Sequence, residues 1–405
     1  MKVLFVPWGL ATHYFHMVPL LWACRAAGHE VRVACQPDAA EAVRNSGMTH
    51  VTVAEGHDFN AEFVALAERL RGAHRNLDGR ELKVRETPEL SPEARESLRK
   101  IRFVPFVNAA AAMADDLVKA AEDFRPDLVV ADPMVLAAPL AAEAVGVPLV
   151  HFLWGPALLR EIGFPGCGTP VDTWSEDLRG LYGRFGVEPR DTHAVGTVDT
   201  CSADLQIPAV TDRIPMRYVP YNGPGQVPGW LGEHTGRPRV CVTWGTTTTE
   251  MSGSDNFVIP TVLAGLEGLD LEVVLAVGSA ERERLTGLPE RVRVVEGLPL
   301  NLLLPTCDAL IHQGGSGTML TAASLGVPQV IVVTMPYQQL NARQLADVGC
   351  GITVNARELT GERIASAVST VLNDDAVRAS SRRLREEILA QPTPAETVGT
   401  LEKLI

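Results

Sequence analysis

The sequence has no run of lysine and arginine. Its 36 basic residues are outnumbered by 49 acidic ones, giving a formal net charge of −13. That excludes nucleic acid and an anionic membrane surface as partners, since both need a basic patch. It also means that a site for an anionic ligand has to be built locally. There is no C-x-x-C pair and no histidine at zinc-ligand spacing from a cysteine. The seven cysteines (Cys24, Cys35, Cys167, Cys201, Cys241, Cys307 and Cys350) are scattered. They read as small buried hydrophobes in a reduced, cytoplasmic chain. No apolar run is long enough for a membrane span: Leu128 to Trp154 is broken by Asp132, Pro133, Pro139, Glu143 and Pro148. Met1 to Pro7 is too short for a signal sequence and reads as a first strand.

What is present is ample core. The 405 residues are 46% hydrophobic and 21% charged, which suits two globular domains. Val3 to Pro7 reads as a buried parallel strand and Thr12 to Tyr14 as a polar loop. His16 to Ala27 reads as a helix with Pro19 in its first turn and Gly28 as its stop, and Glu30 to Cys35 as the next strand. The pattern recurs with strands at Asp127–Ala131 and Leu149–Leu153 around a helix at Pro139–Ala144. It recurs again with strands at Val240–Thr243, Glu272–Ala276, Val292–Val295, Ala309–Ile311 and Val330–Val333. Two serial runs of this kind predict an α/β fold of two doubly wound Rossmann-like domains facing across a cleft. Residues 1–217 form the first domain. The Pro- and Gly-dense residues 218–237 form the linker and residues 238–391 the second domain. Gly72 to Arg102, charged and broken by Pro88 and Pro92, reads as a surface excursion or lid.

The sharpest local feature is Asp308-Ala-Leu-Ile-His312-Gln-Gly314-Gly315-Ser316-Gly317-Thr318. A strand runs through a glycine turn into a helix, where free N–H groups and the helix dipole attract an anion. Ser316 and Thr318 can add hydroxyl donors, and His312 sits at the strand end. A bare G-G-x-G would serve equally as a tight steric turn. It is neither a P-loop nor the G-x-G-x-x-G dinucleotide fingerprint, which disfavours an NAD-dependent oxidoreductase. With no lysine after the turn and no acidic metal-ligand cluster, it favours a reaction in which a nucleoside diphosphate leaves, over metal-clamped phosphoryl transfer. No cofactor and no metal are expected. A second turn, Thr243-Trp244-Gly245-Thr246-Thr247-Thr248-Thr249, falls at the same edge of that sheet.

At these residues the chain resembles the family 1 nucleotide-sugar glycosyltransferases of the two-domain GT-B fold. His312 to Thr318 is similar to their H-x-G-G-x-G-T donor motif, and the likeness continues through Gly326-Val327-Pro328-Gln329 to Pro336-Tyr337-Gln338-Gln339-Leu340-Asn341-Ala342. Thr12 to Leu20, Ala26 to Ala34 and Arg217-Tyr218-Val219-Pro220-Tyr221-Asn222-Gly223-Pro224 resemble the actinobacterial subgroup that puts deoxysugars on polyketide antibiotics. The resemblance implies that Gly245, Thr246, His312, Gly315, Ser316, Gly317 and Thr318 hold the diphosphate and that Leu298, in Gly297-Leu298-Pro299-Leu300, lines the base. It also places Tyr337 and Gln338 near the sugar. Many relatives have Asp-Gln there, and losing the carboxylate suits a donor with fewer hydroxyls, such as a thymidine-diphosphate deoxysugar. The resemblance further implies that residues 392–405 form a helix crossing back onto the first domain. An auxiliary activator protein and a homodimer are both compatible with this subgroup.

Displacement at an anomeric carbon needs a base for the acceptor hydroxyl. His13 and His16 follow the first strand, and Asp132 ends the strand Leu128–Ala131 at the same edge, where it could orient an imidazole. The resemblance favours His13, with His16 as the alternative base, in an inverting transfer. Trp8, Phe103, Phe106 and Trp154 are candidates for an aglycone pocket near sheet-edge loops, while His29, His57 and His234 read as structural. Two alternatives compete: a nucleotide-sugar epimerase of the same fold and a catalytically silent activator of another transferase.

Overall fold

The computed structural model describes residues 1–62, 64–66, 92–208, 210, 212–233, 235–245, 258–289, 291–334 and 336–405. Among these, the strands form two all-parallel sheets. The first has seven strands in the order β3-β2-β1-β4-β5-β6-β7: β1 Lys2–Val6, β2 Glu30–Cys35, β3 His50–Thr52, β4 Leu128–Ala131, β5 Leu149–Phe152, β6 Ala194–Asp199 and β7 Arg213–Pro215. The second has six in the order β10-β9-β8-β11-β12-β13: β8 Arg239–Thr243, β9 Glu272–Val277, β10 Val292–Glu296, β11 Ala309–His312, β12 Gln329–Val333 and β13 Gly351–Asn355.

Helices cover both faces, so the central strands read as continuous apolar runs rather than alternating ones. Leu4, Val6, Val129 and Ala131 face the Pro92–Phe124 helix through Ala110, Met113 and Leu117. Their neighbours Val3, Phe5, Leu128 and Val130 turn the other way, against Met17, Val18 and Leu21 of the Ala11–Ala26 helix. Val398 and Leu401, from the C-terminal Pro394–Leu401 helix, complete that second layer. The C-terminus thus returns to the first sheet. Arg217 N–H donates to the Pro392 carbonyl at 2.7 Å, and Thr393 and Glu396 cap each other's backbone at the helix start.

The topology decides where ligands can sit. Strand order reverses between β1 and β4 in one sheet and between β8 and β11 in the other. At such a switch point the following loops diverge and leave a crevice beyond the carboxyl ends of the strands. His13 follows β1, Asp132 follows β4, Gly245 follows β8, and the glycine turn follows β11.

The structure differs from the sequence reading at one place and adds to it at two others. Thr12 to Tyr14 is not a loop: the helix starts at Ala11, so Pro19 lies inside it rather than in its first turn. Leu10 at the cap offers no side-chain acceptor, so the sequence carries no start signal there. Of the expected excursion, residues 72–91 lie outside the described residues, while Pro92 to Arg102 opens the long Pro92–Phe124 helix. Phe103 and Phe106 stand on this helix. Finally, β3, β6, β7 and β13 go unread in the sequence: β3 and β7 are three residues each, and all four lie towards the sheet edges.

Candidate active site

A cleft of about 700 Å³ runs between the two switch points. Its first half is walled by aromatic side chains. Trp8 meets Phe59 edge-on at 4.5 Å between ring centroids, and Phe106 lies 5.1 Å from Phe59 and 5.2 Å from Phe164. Phe103 packs on Phe164 at 5.1 Å. Trp8, Phe103, Phe106 and Trp154 all line the cleft, and Phe59 and Phe164 join them. Edge-to-face contacts of this kind hold the rings in fixed orientations.

Among the polar groups of that half is His13. Its Nδ1 lies 2.6 Å from Asp132 Oδ2, and the Asp132 side chain is 1% exposed. The other carboxylate oxygen, Oδ1, accepts the Met134 N–H at 2.8 Å. Asp132 is thus at once a turn residue and a fixed partner for the imidazole. With Nδ1 engaged, Nε2 is the nitrogen free to take a proton. Trp154 packs tilted against the ring, 4.9 Å between centroids.

His16, one turn further along the helix, differs. It has no carboxylate partner, and its Nδ1 is buried without a hydrogen bond. Burial, and then the nearby His13, push its pKa down to about 3. Its Nε2 lies 3.2 Å from where a Cβ on Gly317 would be. The ring therefore packs across the cleft on the donor-side turn.

Among the described residues, the second half of the cleft is built around the glycine turn, with Trp244, Leu298 and Leu300 beside it. Gly314 has φ +96°, and a Cβ there would meet Ile331 and Gln338 at 3.0 and 3.1 Å, so only glycine fits the turn. Gly315 is the N-cap of the Ser316–Leu325 helix, and no side chain caps it. The first-turn N–H groups are left for an anion. Gly315, Ser316, Gly317 and Thr318 line the cleft together with Gly245 and Leu298.

Other expected donor residues sit behind this surface. His312 is fully buried, with Nε2 2.9 Å from Gln329 Oε1 and Nδ1 accepting the Gly314 N–H at 3.1 Å. Burial pushes its pKa down to about 4. The neutral ring shapes the glycine turn and does not line the cleft. Gln338 is likewise buried, and its Oε1 accepts from the Thr334 N–H and hydroxyl, both at 3.0 Å. His312 acts on the glycine turn through Gly314, whereas the Gln338 amide oxygen holds the Thr334 end of β12. Thr246 and the side chain of Tyr337 lie outside the described residues.

Four residues escaped the sequence reading. Asn341 Nδ2 donates to the Gly314 carbonyl at 2.8 Å and to Ser316 Oγ at 2.9 Å. Gln313 lines the cleft, with its amide wedged where a Cβ on Gly245 or Gly315 would fall. Tyr218, beyond β7, donates to the Gly317 carbonyl at 3.2 Å and meets Thr321 Oγ1 at 3.1 Å. Asn222 accepts the Asn301 N–H at 3.0 Å, tying the linker to the Gly297–Leu300 loop. Tyr218, Asn222 and Asn341 stood within segments quoted for resemblance, and Gln313 was the unassigned x of the donor motif. Their amide and phenol groups carry no signal of their own.

His29 lies beside Glu402 at 2.9 Å and His57 beside Glu62 at 3.8 Å, neither lining the cleft. His234 is outside the described residues. Among the described residues no helix is long and apolar enough to cross a membrane, and no group of three or more His, Cys, Asp or Glu side chains could hold a metal ion.

Comparison with known proteins identifies the family. The N-terminal domain family of erythromycin biosynthesis protein CIII-like proteins matches residues 22–245, and the C-terminal domain family matches residues 260–404. Tylactone mycaminosyltransferase of Streptomyces fradiae is 35% identical over all of this chain and 92% of its own length. 10-Deoxymethynolide desosaminyltransferase of Streptomyces venezuelae is 34% identical over all of this chain and 97% of its own length. Among solved structures, spinosyn rhamnosyltransferase superposes over the whole of both chains with a TM-score of 0.81 at 28% identity. The same enzyme with thymidine diphosphate gives 0.80 at 29% identity, over 99% of this chain and 100% of that one. These are sugar transferases, and the epimerase and silent-activator readings are set aside. The chain belongs to the erythromycin biosynthesis protein CIII-like family and is a glycosyltransferase of the GT-B fold, of the kind that acts in antibiotic biosynthesis.

Proposed function

We propose that the chain transfers a deoxysugar from thymidine diphosphate to a hydroxyl of a polyketide-type aglycone, by direct displacement with inversion. The observation that carries this reading is the His13–Asp132 pair, 2.6 Å apart, facing a donor-side helix start across one cleft. Relatives named as transferases of mycaminose, desosamine and daunosamine support the donor class. The aromatic wall of the first half supports a large apolar acceptor.

In this mechanism His13 Nε2 takes the proton of the acceptor hydroxyl while its oxygen attacks the anomeric carbon. The bond from that carbon to the diphosphate oxygen breaks, and its electron pair leaves with the diphosphate. The Asp132 carboxylate holds the ring through Nδ1–H and stabilises the imidazolium that forms. On the other side, the N–H groups of residues 316–318, the helix dipole and the Ser316 and Thr318 hydroxyls receive the charge that develops on the leaving group. Asn341 donates to Ser316 Oγ, so the hydroxyl hydrogen is left to point at the diphosphate. His16, with a pKa of about 3, is a feeble base, which supports His13 in that role. No metal enters this scheme.

Thermal-shift titration with thymidine and uridine diphosphates in EDTA tests the donor side. Stabilisation by thymidine diphosphate without metal is expected, since a ligand that binds only the fold raises its melting temperature. No shift, or a shift only after Mg²⁺ is restored, would overturn the donor-site assignment.

A further inference from the structure

The loop after β5 carries Trp154 and Gly155, and it reaches across the cleft. An ideal Cβ on Gly155 would lie 2.5 Å from Ser316 Oγ and 2.6 Å from Ser316 Cβ, closer than any real contact. Gly155 is buried and its φ is not in the left-handed region, so its own backbone would accept a side chain. What excludes one is the helix start of the other domain.

Two further observations fix this contact. Leu153 and Ala157, on either side of the glycine, pack with Leu340 in one apolar cluster. Leu340 is the neighbour of Asn341, which holds Ser316 Oγ at 2.9 Å. From below, Gln206 Oε1 accepts the Ala157 N–H at 2.9 Å, and the Gln206 amide donates to the buried Asp199 at 3.0 Å. The loop is thus braced from its own sheet and seated on the donor side, with Trp154 at its tip against His13.

We infer that Gly155 is a positioning residue for the transfer: its missing side chain lets the acceptor-side loop seat on Ser316, so that Ser316 keeps its bond to Asn341 and Trp154 is held beside His13. The inference rests on the reading that Ser316 contacts the diphosphate. A methyl group at position 155 must either push the loop off the helix start or turn Ser316 away from Asn341. Both consequences weaken the donor site without touching the core of either domain.

The test is a double-mutant cycle read by calorimetry with thymidine diphosphate as the probe, on wild type, Gly155→Ala, Ser316→Gly and the double variant. Overpacking of this kind should weaken thymidine diphosphate by about tenfold or more in Gly155→Ala, with little change in the melting temperature of the unliganded protein. Ser316→Gly removes both clashing atoms, so adding Gly155→Ala to it should cause no further loss. Ser316→Ala keeps its Cβ and should give no such rescue. Wild-type affinity in Gly155→Ala, or losses that multiply in the double variant, would overturn the inference. Should Gly155→Ala fail to fold, recovery of folded protein in the Ser316→Gly background supports the inference and no recovery overturns it. Wild-type affinity in Ser316→Gly alone would overturn the reading of Ser316 instead, because the coupling between 155 and 316 is measured separately.

Discussion

The two halves of the cleft solve different chemical problems with different materials. On the proposed reading, the acceptor side has an aromatic wall and the chemistry falls to His13 and Asp132, whose side chains meet at 2.6 Å. The proposed donor side is built around a glycine turn and a helix start, to which His312 and Asn341 are bonded from behind, with Trp244 and Leu298 beside them. A base must gain and lose a proton, so it needs a titratable ring with an orienting partner. A diphosphate needs donors that stay fixed as charge develops, which backbone N–H groups provide without reorganisation. At the seam between the halves two glycines allow close approach: Gly155 against Ser316, and Gly317 against His16.

If this division is right, the halves should fail independently. The largest effect is expected from His13→Ala, with turnover down about 10²- to 10⁴-fold and thymidine diphosphate affinity close to wild type by calorimetry. Loss of both together would break the comparison, and near-normal turnover would move the base to His16. Asn341→Ala should do the reverse. Freed of its hydrogen bond, Ser316 should weaken thymidine diphosphate by about tenfold, while the acceptor KM stays nearly unchanged.

The smallest expected effect sharpens the status of His16. Its pKa of about 3 in the fold lies below the ordinary value near 6.5, so below pH 6.5 the unfolded chain takes up a proton that the folded chain refuses. Its contribution to stability is full above that pH and falls as the solution is acidified through the window down to about 3. Between pH 7 and pH 6 the loss is on the order of 1 kcal/mol for one such ring. His151 and His312, each pushed by burial to about 4, add losses of the same sign. Urea midpoints at the two pH values should differ less in His16→Phe than in wild type. An unchanged pH dependence would mean that His16 is not the neutral seam residue described here.

How far the sequence could be read follows the same division. The strand–turn–helix at Asp308 to Leu325 was visible because glycine and helix-start chemistry leave a local signature, and Gly315 to Thr318 indeed line the cleft. His312 carried the same signature, yet it faces inward, since its role is to accept a backbone N–H two residues on. The central strands were legible from unbroken apolar runs, whereas short edge strands such as β3 and β7 were not. His13 and Asp132 stand 119 positions apart and meet only because β1 and β4 are neighbours at the switch point. No local pattern encodes that pairing, which is why resemblance, and not spacing, singled them out. Gly155 is less legible still: a lone glycine after a strand reveals nothing until its partner across the cleft is known.

The most direct test of the central claim is the anomeric configuration of the glycoside formed from a thymidine-diphosphate deoxysugar, read by nuclear magnetic resonance. A hydroxyl activated by His13 and attacking opposite a diphosphate held at the helix start must give a product inverted relative to the donor. A retained configuration would contradict direct displacement, and with it the assignment of one role to each half of the cleft.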